Sequence, residues 1–583
     1  MGQGAALGRG WSRRAWLGVA ALGAAGCEPG PGTAVSPGEL AGGWIGAAMA
    51  RGHSLQGAAT GGPSAAGAEA PSRRCAVAVL GAGVAGLAAA RALRRAGVDD
   101  LRVFELEDTA GGNARSHTMA GLACPLGAHY LPVPPPQARA VSEFLHEAGL
   151  LRTVAGRTMP DQRYLCHALQ ERLWTGQAWV EGLLPPTPAG SATDAAYRRF
   201  SQRLAEVARG ARFAVPADAA PWSTELQSLD GESFAHWLVR EGLQDAALLG
   251  YLDYACRDDY GAGLEAVSAW AGLHYFASRH GFGMAGDSEA REAVFTWPEG
   301  NAWLTRRLAA PLGERLHAGC LVRRVQPSRH GVALEVHDAA GTAQRWLARE
   351  VVVALPLHVA ARIVEAAPAA LAAAAAAVDH APWLVANLLL REPPVDRVGA
   401  PPAWDNVFQV AAGPDGRLPA PESPSRLALG YVDAGHQGLR AQAGPMVLTA
   451  YWAFGQASRA GTAAWRRRLR DEPWTTWAGR VVGHLAQVHP DLPGRLLRVD
   501  LMRYGHAMAV PAPGVRGHPA LRALRGAAQP GGPAVAGPAG SERLHLAHAD
   551  LAGYSVFEEA FTLGDAAGRR AAARLGCCAS GSA

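Results

Sequence analysis

The residues of this chain best suited to chemistry are three glycines and an acid. Gly81, Gly83 and Gly86 follow a short apolar run, Val77 to Leu80, and open a helix-like stretch, Leu87 to Arg95. Glu105 lies 24 residues after Gly81, at the end of a second apolar run. Each residue type has a mechanical reason. Gly81 permits a tight strand-to-helix turn, Gly83 lets a pyrophosphate approach the backbone, and Gly86 lets helix and strand pack closely. Around Val84 and Ala85 the helix start offers unpaired N–H groups and a partial positive charge to phosphate oxygens. An acid at the distance of Glu105 accepts hydrogen bonds from a ribose. With 71 glycines in the chain, the G-x-G-x-x-G spacing alone is weak evidence. Its place between two strand-like runs, with the acid at the right distance, predicts a dinucleotide site on a βαβ unit.

The segment after Glu105 narrows the ligand. Gly111 and Gly112 follow six residues on, then Asn113, Ala114 and Arg115. This resembles the E-x5-G-G-R motif of FAD-dependent amine oxidases, protoporphyrinogen oxidases and phytoene desaturases. In that superfamily the glycine pair and a nearby arginine close over the FAD diphosphate; here the arginine comes two positions late. A second anchor is C-terminal. Leu544 to Asp550, then Glu558, Glu559, Ala560, Phe561 and Gly564, resemble the superfamily's closing motif. The resemblance implies that Asp550 bonds the ribityl or diphosphate portion. It also implies that the helix carrying Glu559 aims its N-terminus at the flavin. Asp550 and Glu105 lie 445 residues apart, so two remote ends of one FAD fold are present.

Further positions follow from the same resemblance. Gly127 and Ala128 would pass close to the isoalloxazine, with His129 and Tyr130 at its edge; the alternative for His129 is a packed loop histidine. Val325 would carry a backbone contact to the adenine. Val351 to Pro356 matches an apolar strand close to the nucleotide. Trp383 to Pro393 resembles the strand on which many amine oxidases place a lysine that holds a water near flavin N5. No lysine occurs anywhere in this chain, so all 55 basic residues are arginine. Asn387 is the polar residue that could replace it, or else a satisfied core amide. Arg503 to Pro511 would line the cavity opposite the flavin, with Tyr504 and His506 as substrate contacts. Asp258, Asp259 and His274 lie in two polar–aromatic clusters. The acidic pair could hold a cationic substrate, or form a salt-bridge patch or helix cap.

At 583 residues the chain can build two or three domains around a large core. The implied class is α/β: a Rossmann-like FAD-binding domain with a parallel sheet, and an interleaved α+β substrate domain. The expected FAD-binding parts are 75–136, 296–360 and 501–583; the substrate parts are 137–295 and 361–500. A net charge of +5 with no basic block argues against nucleic acid as a partner. Of the eight cysteines, none has metal-site spacing, and no metal is expected.

The first residues read as a targeting segment. Ser12-Arg13-Arg14 resembles a twin-arginine export motif. The apolar run Ala15 to Ala25 is too short to span a bilayer. Ala24-Ala25-Gly26-Cys27 resembles a lipoprotein cleavage box, so a lipid on Cys27 would tether an exported protein to a membrane face. Residues 28–74 read as a flexible tether, with an island around Gly43-Trp44-Ile45-Gly46 and Arg51-Gly52-His53. The functional expectation is an FAD-dependent oxidoreductase moving a hydride from a substrate C–H bond, in an amine or polyamine, to flavin N5. Oxygen or another acceptor would then take the electrons. The alternatives are desaturase- or isomerase-like chemistry on an apolar substrate, and a non-catalytic FAD-stabilised protein.

Overall fold

A computed structural model describes residues 40–46, 48–55, 73–167, 169–283, 293–413, 415–436, 444–529, 531–533 and 536–577. The twin-arginine stretch, Cys27 and most of the tether lie outside the described residues. In chain order the framework strands are β1 (Gly42–Trp44), β2 (Arg73–Leu80), β3 (Leu101–Phe104), β4 (Leu321–Ser328), β5 (Gly331–His337), β6 (Ala343–Val353), β7 (Asp379–Leu390), β8 (Met446–Ala453), β9 (Leu496–Val510) and β10 (Leu544–Leu546). The helices that matter are α1 (Ala48–His53), α2 (Val84–Arg95), α3 (Ala246–Tyr260) and α4 (Phe557–Arg574).

One sheet is built on β2. It pairs in parallel with β3 and β6, and β6 pairs in parallel with β10. Strands β5 and β4 extend the sheet antiparallel from β6. The central strands are continuous apolar runs because both faces are covered: Val77, Ala78, Val79 and Leu80 are fully buried, as is Val352. Helix α4 lies against α2 at a distance only glycine allows. A Cβ on Gly564 would fall 2.0 Å from the Ala85 carbonyl oxygen, and one on Gly568 would fall 2.4 Å from that of Ala89. The N- and C-terminal FAD motifs are thereby joined in one domain.

The second sheet is mainly antiparallel. Strand β7 pairs with β9 on one side and β8 on the other, and β1 adds in parallel to the outer edge of β9. The expected boundary at residue 501 is corrected here, since it cuts through β9, whose residues 499–504 pair with β7. The helix Arg139–Glu147, expected in the substrate domain, stacks Phe144 on Phe561 of α4 and so packs with the FAD domain. A strand pair, Glu171–Trp174 and Trp179–Glu181, turns at Gly176, and helices span Arg139–Glu147 and Ala192–Gly210. Among the described residues Cys75, Cys124, Cys166, Cys256, Cys320 and Cys577 are free thiols.

Candidate active site

Strands β2, β6 and β10 run in parallel, so the turns after them lie at one end of the sheet, where α/β folds bind ligands. After β2, Gly81 takes φ +91°, and a Cβ on Gly86 would fall 1.9 Å from the Gly81 carbonyl oxygen. Gly83 precedes the first helical residue, Val84, so the N–H groups of the first turn face outward. Above it crosses the Gly111–Gly112 turn, with φ values of +131° and +57°. A Cβ on Gly112 would lie 3.1 Å from Gly83 Cα, a tight contact, and its φ of +57° favours glycine. Arg115 secures the turn: its Nε donates to the Gly112 carbonyl at 2.9 Å, and Nη1 lies 2.9 Å from Glu107. Two glycine turns crossed over a helix N-terminus make the bare-backbone cradle that a dinucleotide diphosphate needs. The residues present therefore fit FAD.

Glu105, expected to meet the ribose, is buried. Burial pushes its carboxyl up, while backbone N–H donors oppose the shift. Those donors are Ala82 at 2.6 Å and Glu107 at 2.8 Å. Val325 is fully buried, and its carbonyl accepts from Glu365 N at 2.9 Å. Cys320, just ahead of β4, donates its N–H to the Glu105 carbonyl at 2.7 Å.

The segment 125–129 is fastened to the second sheet. The carbonyls of Pro125, Leu126 and Gly127 accept, in turn, from Asn387 Nδ2 at 3.1 Å, Tyr504 Oη at 2.7 Å and Tyr451 Oη at 3.0 Å. Asn387 Oδ1 also accepts from Thr449 Oγ1 at 2.7 Å. Asn387, expected to replace the lysine or to be a satisfied core amide, and Tyr504, expected as a substrate contact, both hold this loop. Asn113 adds a fourth tie, donating to Ala507 O at 2.6 Å. Ala128 and His506 remain exposed between these fastenings. His129 stacks on Tyr451 at 4.7 Å and packs against Tyr130 and Trp404. Burial lowers its imidazole to about 4, against the pull of the Gly127 carbonyl, so the ring is neutral near pH 7.

Asp550 is fully buried rather than open to a ligand. Its carboxylate accepts from Leu357 N at 2.9 Å and contacts His380 Nε2 at 3.0 Å and His548 Nδ1 at 3.1 Å. Burial would raise this carboxyl, but His548 and His380 hold it well below the usual range. His358 and His506 complete the group, their rings 4.6 Å apart. Ligand atoms of His358, His380 and Asp550 all lie within 4.8 Å of one another, a spacing that can take a metal ion. No local sequence motif announces this cluster, because 170 residues separate His380 from Asp550.

Glu559 is likewise committed inside the protein, accepting from Ala217 N and Tyr554 Oη, each at 2.6 Å. It ties α4 to the substrate domain. His274 is a satisfied core histidine, with Nε2 2.9 Å from Ala214 O and the ring tilted against Trp270 at 4.8 Å. Asp259 faces Arg279 at 3.9 Å. Asp258, on α3, has a companion that sequence reading missed. Burial, then the charges of Asp258 and Glu171, hold the Asp405 carboxyl well above the usual range. Tyr254 shares this surrounding and also feels Asp405 and Asp258. At the position of the amine oxidase lysine, roughly residues 385–387, Val385 is an apolar core residue between Tyr451 and Met502 of the flanking strands.

Fold and site define a two-domain dinucleotide-binding protein of the glycine-turn type. The family model described as flavin containing amine oxidoreductase matches residues 84–575, and the chain belongs to that family, whose cofactor is FAD. A putative flavin-containing monoamine oxidase, AofH of Mycobacterium tuberculosis, is 30% identical over 284 residues, 48% of this chain and 56% of its own length. The chain thus spans about half the length of the curated relatives it matches. Among solved structures, wild-type putrescine oxidase bound to putrescine superposes with a TM-score of 0.58 at 18% identity, covering 87% of this chain and 99% of that one. A CLA-producing fatty acid isomerase from P. acnes gives 0.55 at 15% identity, covering 84% and 97%. These two likenesses establish the fold.

Proposed function

We propose that this protein oxidises a small amine, a diamine or polyamine for preference, by passing a hydride from the carbon next to nitrogen to FAD. The observation that carries the reading is the crossed glycine cradle set beside an aromatic wall, His129, Tyr451, Tyr130 and Trp404, in a chain of this family. When bound, FAD supplies a two-electron acceptor. The chain's own residues orient the substrate and exclude water. Neutral His129 and its aromatic neighbours form an apolar surface that suits an uncharged reacting amine. Asp258 and Asp405 supply the acidic surface for a second, charged nitrogen. Such a reaction needs no side-chain base if the reacting amine arrives neutral. Oxygen is the simplest electron acceptor.

A second reading, removal or relocation of hydrogen on an apolar substrate, is favoured by Val385 where relatives place a lysine. Anaerobic mixing separates the two. Bleaching of the flavin band at about 450 nm by diamines, with peroxide released on admitting air, supports the first reading. Failure of every amine, with bleaching by unsaturated fatty acids or other apolar compounds, would replace it. Asp258→Asn and Asp405→Asn should raise KM for a diamine more than for a monoamine.

Export through a twin-arginine signal and a lipid anchor on Cys27 are part of the proposal. Loss of membrane association in Cys27→Ala would support the anchor; retention would remove it.

A further inference from the structure

Residues 40–46 and 48–55, expected to be part of a tether, are seated on both domains. Strand β1 continues the substrate sheet: Gly42, Gly43 and Trp44 pair with Val499, Asp500 and Leu501. Ile45 N donates to Leu501 O at 2.8 Å, and Val499 N donates to Ala41 O at 2.9 Å. The Arg503 guanidinium covers the Trp44 ring at 4.3 Å. Gly42 takes φ +136°, and a Cβ there would fall 1.8 Å from Val499 O, so this pairing needs glycine. A few residues later, α1 reaches the other domain. Arg51 Nη1 donates to the Leu106 carbonyl, and Nη2 lies 3.0 Å from Asp108. Gly52 lies close under the Leu106 side chain.

The loop that Arg51 grips begins at Glu105. It carries three carboxylates in four residues, Glu105, Glu107 and Asp108, beside a site for a cofactor with two phosphates. Two cations offset them: Arg115 faces Glu107, and Arg51 faces Asp108. Backbone bonds from Gly319 and Cys320 hold the loop's inner edge. Arg51 holds its outer edge, and it comes from a segment anchored on the opposite sheet.

We propose that β1 and α1 together are a latch that fixes the adenosine end of the FAD site, with Arg51 as a positioning residue for Glu105. The latch joins the two domains across the cofactor, so cofactor loss requires either its release or distortion of the 105–108 loop. This rests on FAD being the cofactor. It adds that an N-terminal strap, outside the span matched by the family model, controls how long FAD stays.

The test uses the full chain loaded with FAD and follows release of fluorescent flavin after dilution, beside the melting temperature of the apoprotein. Arg51→Ala should release FAD about tenfold faster, the effect of losing one hydrogen bond from a charged donor. Arg51→Lys should recover part of the retention, since charge remains without the two-pronged grip. Gly42→Val, which unseats β1 far from the cofactor, should accelerate release as Arg51→Ala does. A parent chain that takes up no flavin overturns the cofactor reading and the latch with it. A parent that holds flavin, with both Arg51→Ala and Gly42→Val releasing it at the parent's rate, overturns the latch alone, whatever happens to the apoprotein's melting temperature.

Discussion

Gly564 and Ala85 touch across 479 positions of sequence, with room for no atom beyond the glycine's own: an added Cβ would sit 2.0 Å from the Ala85 carbonyl oxygen. Helix α4 can therefore lie on α2 and bring the late cofactor motif to the early one. Gly564→Val should separate the helices, at a cost of about 2 kcal/mol or more. The protein should melt several degrees lower and purify with less flavin. Unchanged flavin content and melting would mean that the helices do not need this contact.

Tyr504 and Asn387 hold consecutive carbonyls of the 125–127 loop. Tyr504→Phe and Asn387→Ala should each cost about 1–2 kcal/mol, because a buried acceptor is left unpaired. If these residues transferred protons in the reaction, kcat would fall about 100-fold or more. We expect a fall smaller than that, tracking the loss of stability, with the pH profile of kcat unmoved. A pH profile that shifts in Tyr504→Phe would restore it as a reacting group.

His129 ties stability to pH. Its folded value, about 4, lies below the usual 6.5 because burial disfavours the charged ring. The folded state therefore resists protonation, and this contribution is complete above pH 6.5 and is lost as pH falls towards 4. The full effect would be on the order of 3 kcal/mol at most. Chemical denaturation at pH 7 and pH 4.5 should show the loss in the parent and a smaller loss in His129→Phe. Equal losses in both would assign the acid sensitivity elsewhere, for instance to buried His484, also lowered to about 4.

Asp550 works through its neighbours. Its depressed carboxyl contributes stability above the usual aspartate range near 4, and that contribution disappears only in stronger acid. Asp550→Asn removes the charge that orients His380 and His548 and should cost about 3–5 kcal/mol, as for one partner of a buried pair. Flavin content and melting temperature should fall together at pH 7. A variant as stable as the parent that lacks only flavin would show instead that Asp550 contacts the cofactor directly.

Titration of the FAD-loaded protein with Zn²⁺ or Mn²⁺ examines the histidine cluster. Because Asp550 already bonds Leu357, His380 and His548, we expect no stoichiometric uptake by calorimetry. One ion bound per chain, abolished by His358→Ala, would make the cluster a metal site.

The glycine turns, Glu105 and the C-terminal motif were legible in the sequence because local geometry fixes them. A tight turn, a helix N-terminus and an acid at the end of a strand carry their spacing within one βαβ unit. The parallel core could be read for the same reason, as runs buried on both faces. What side chains do at long range was decided by packing alone. Asn387 and Tyr504 look like reactive groups in a strand, yet the fold commits them to two carbonyls hundreds of residues away, Pro125 and Leu126. Asp405 beside Asp258, His358 beside His506, and the strap formed by β1 and α1 depend on which strands become neighbours in two sheets. Composition made 28–74 read as a tether, and periodicity cannot see that Gly42 meets Val499. Contacts of that kind arise only when the whole chain closes, since each is worth little until both partners have been ordered by the rest of the core.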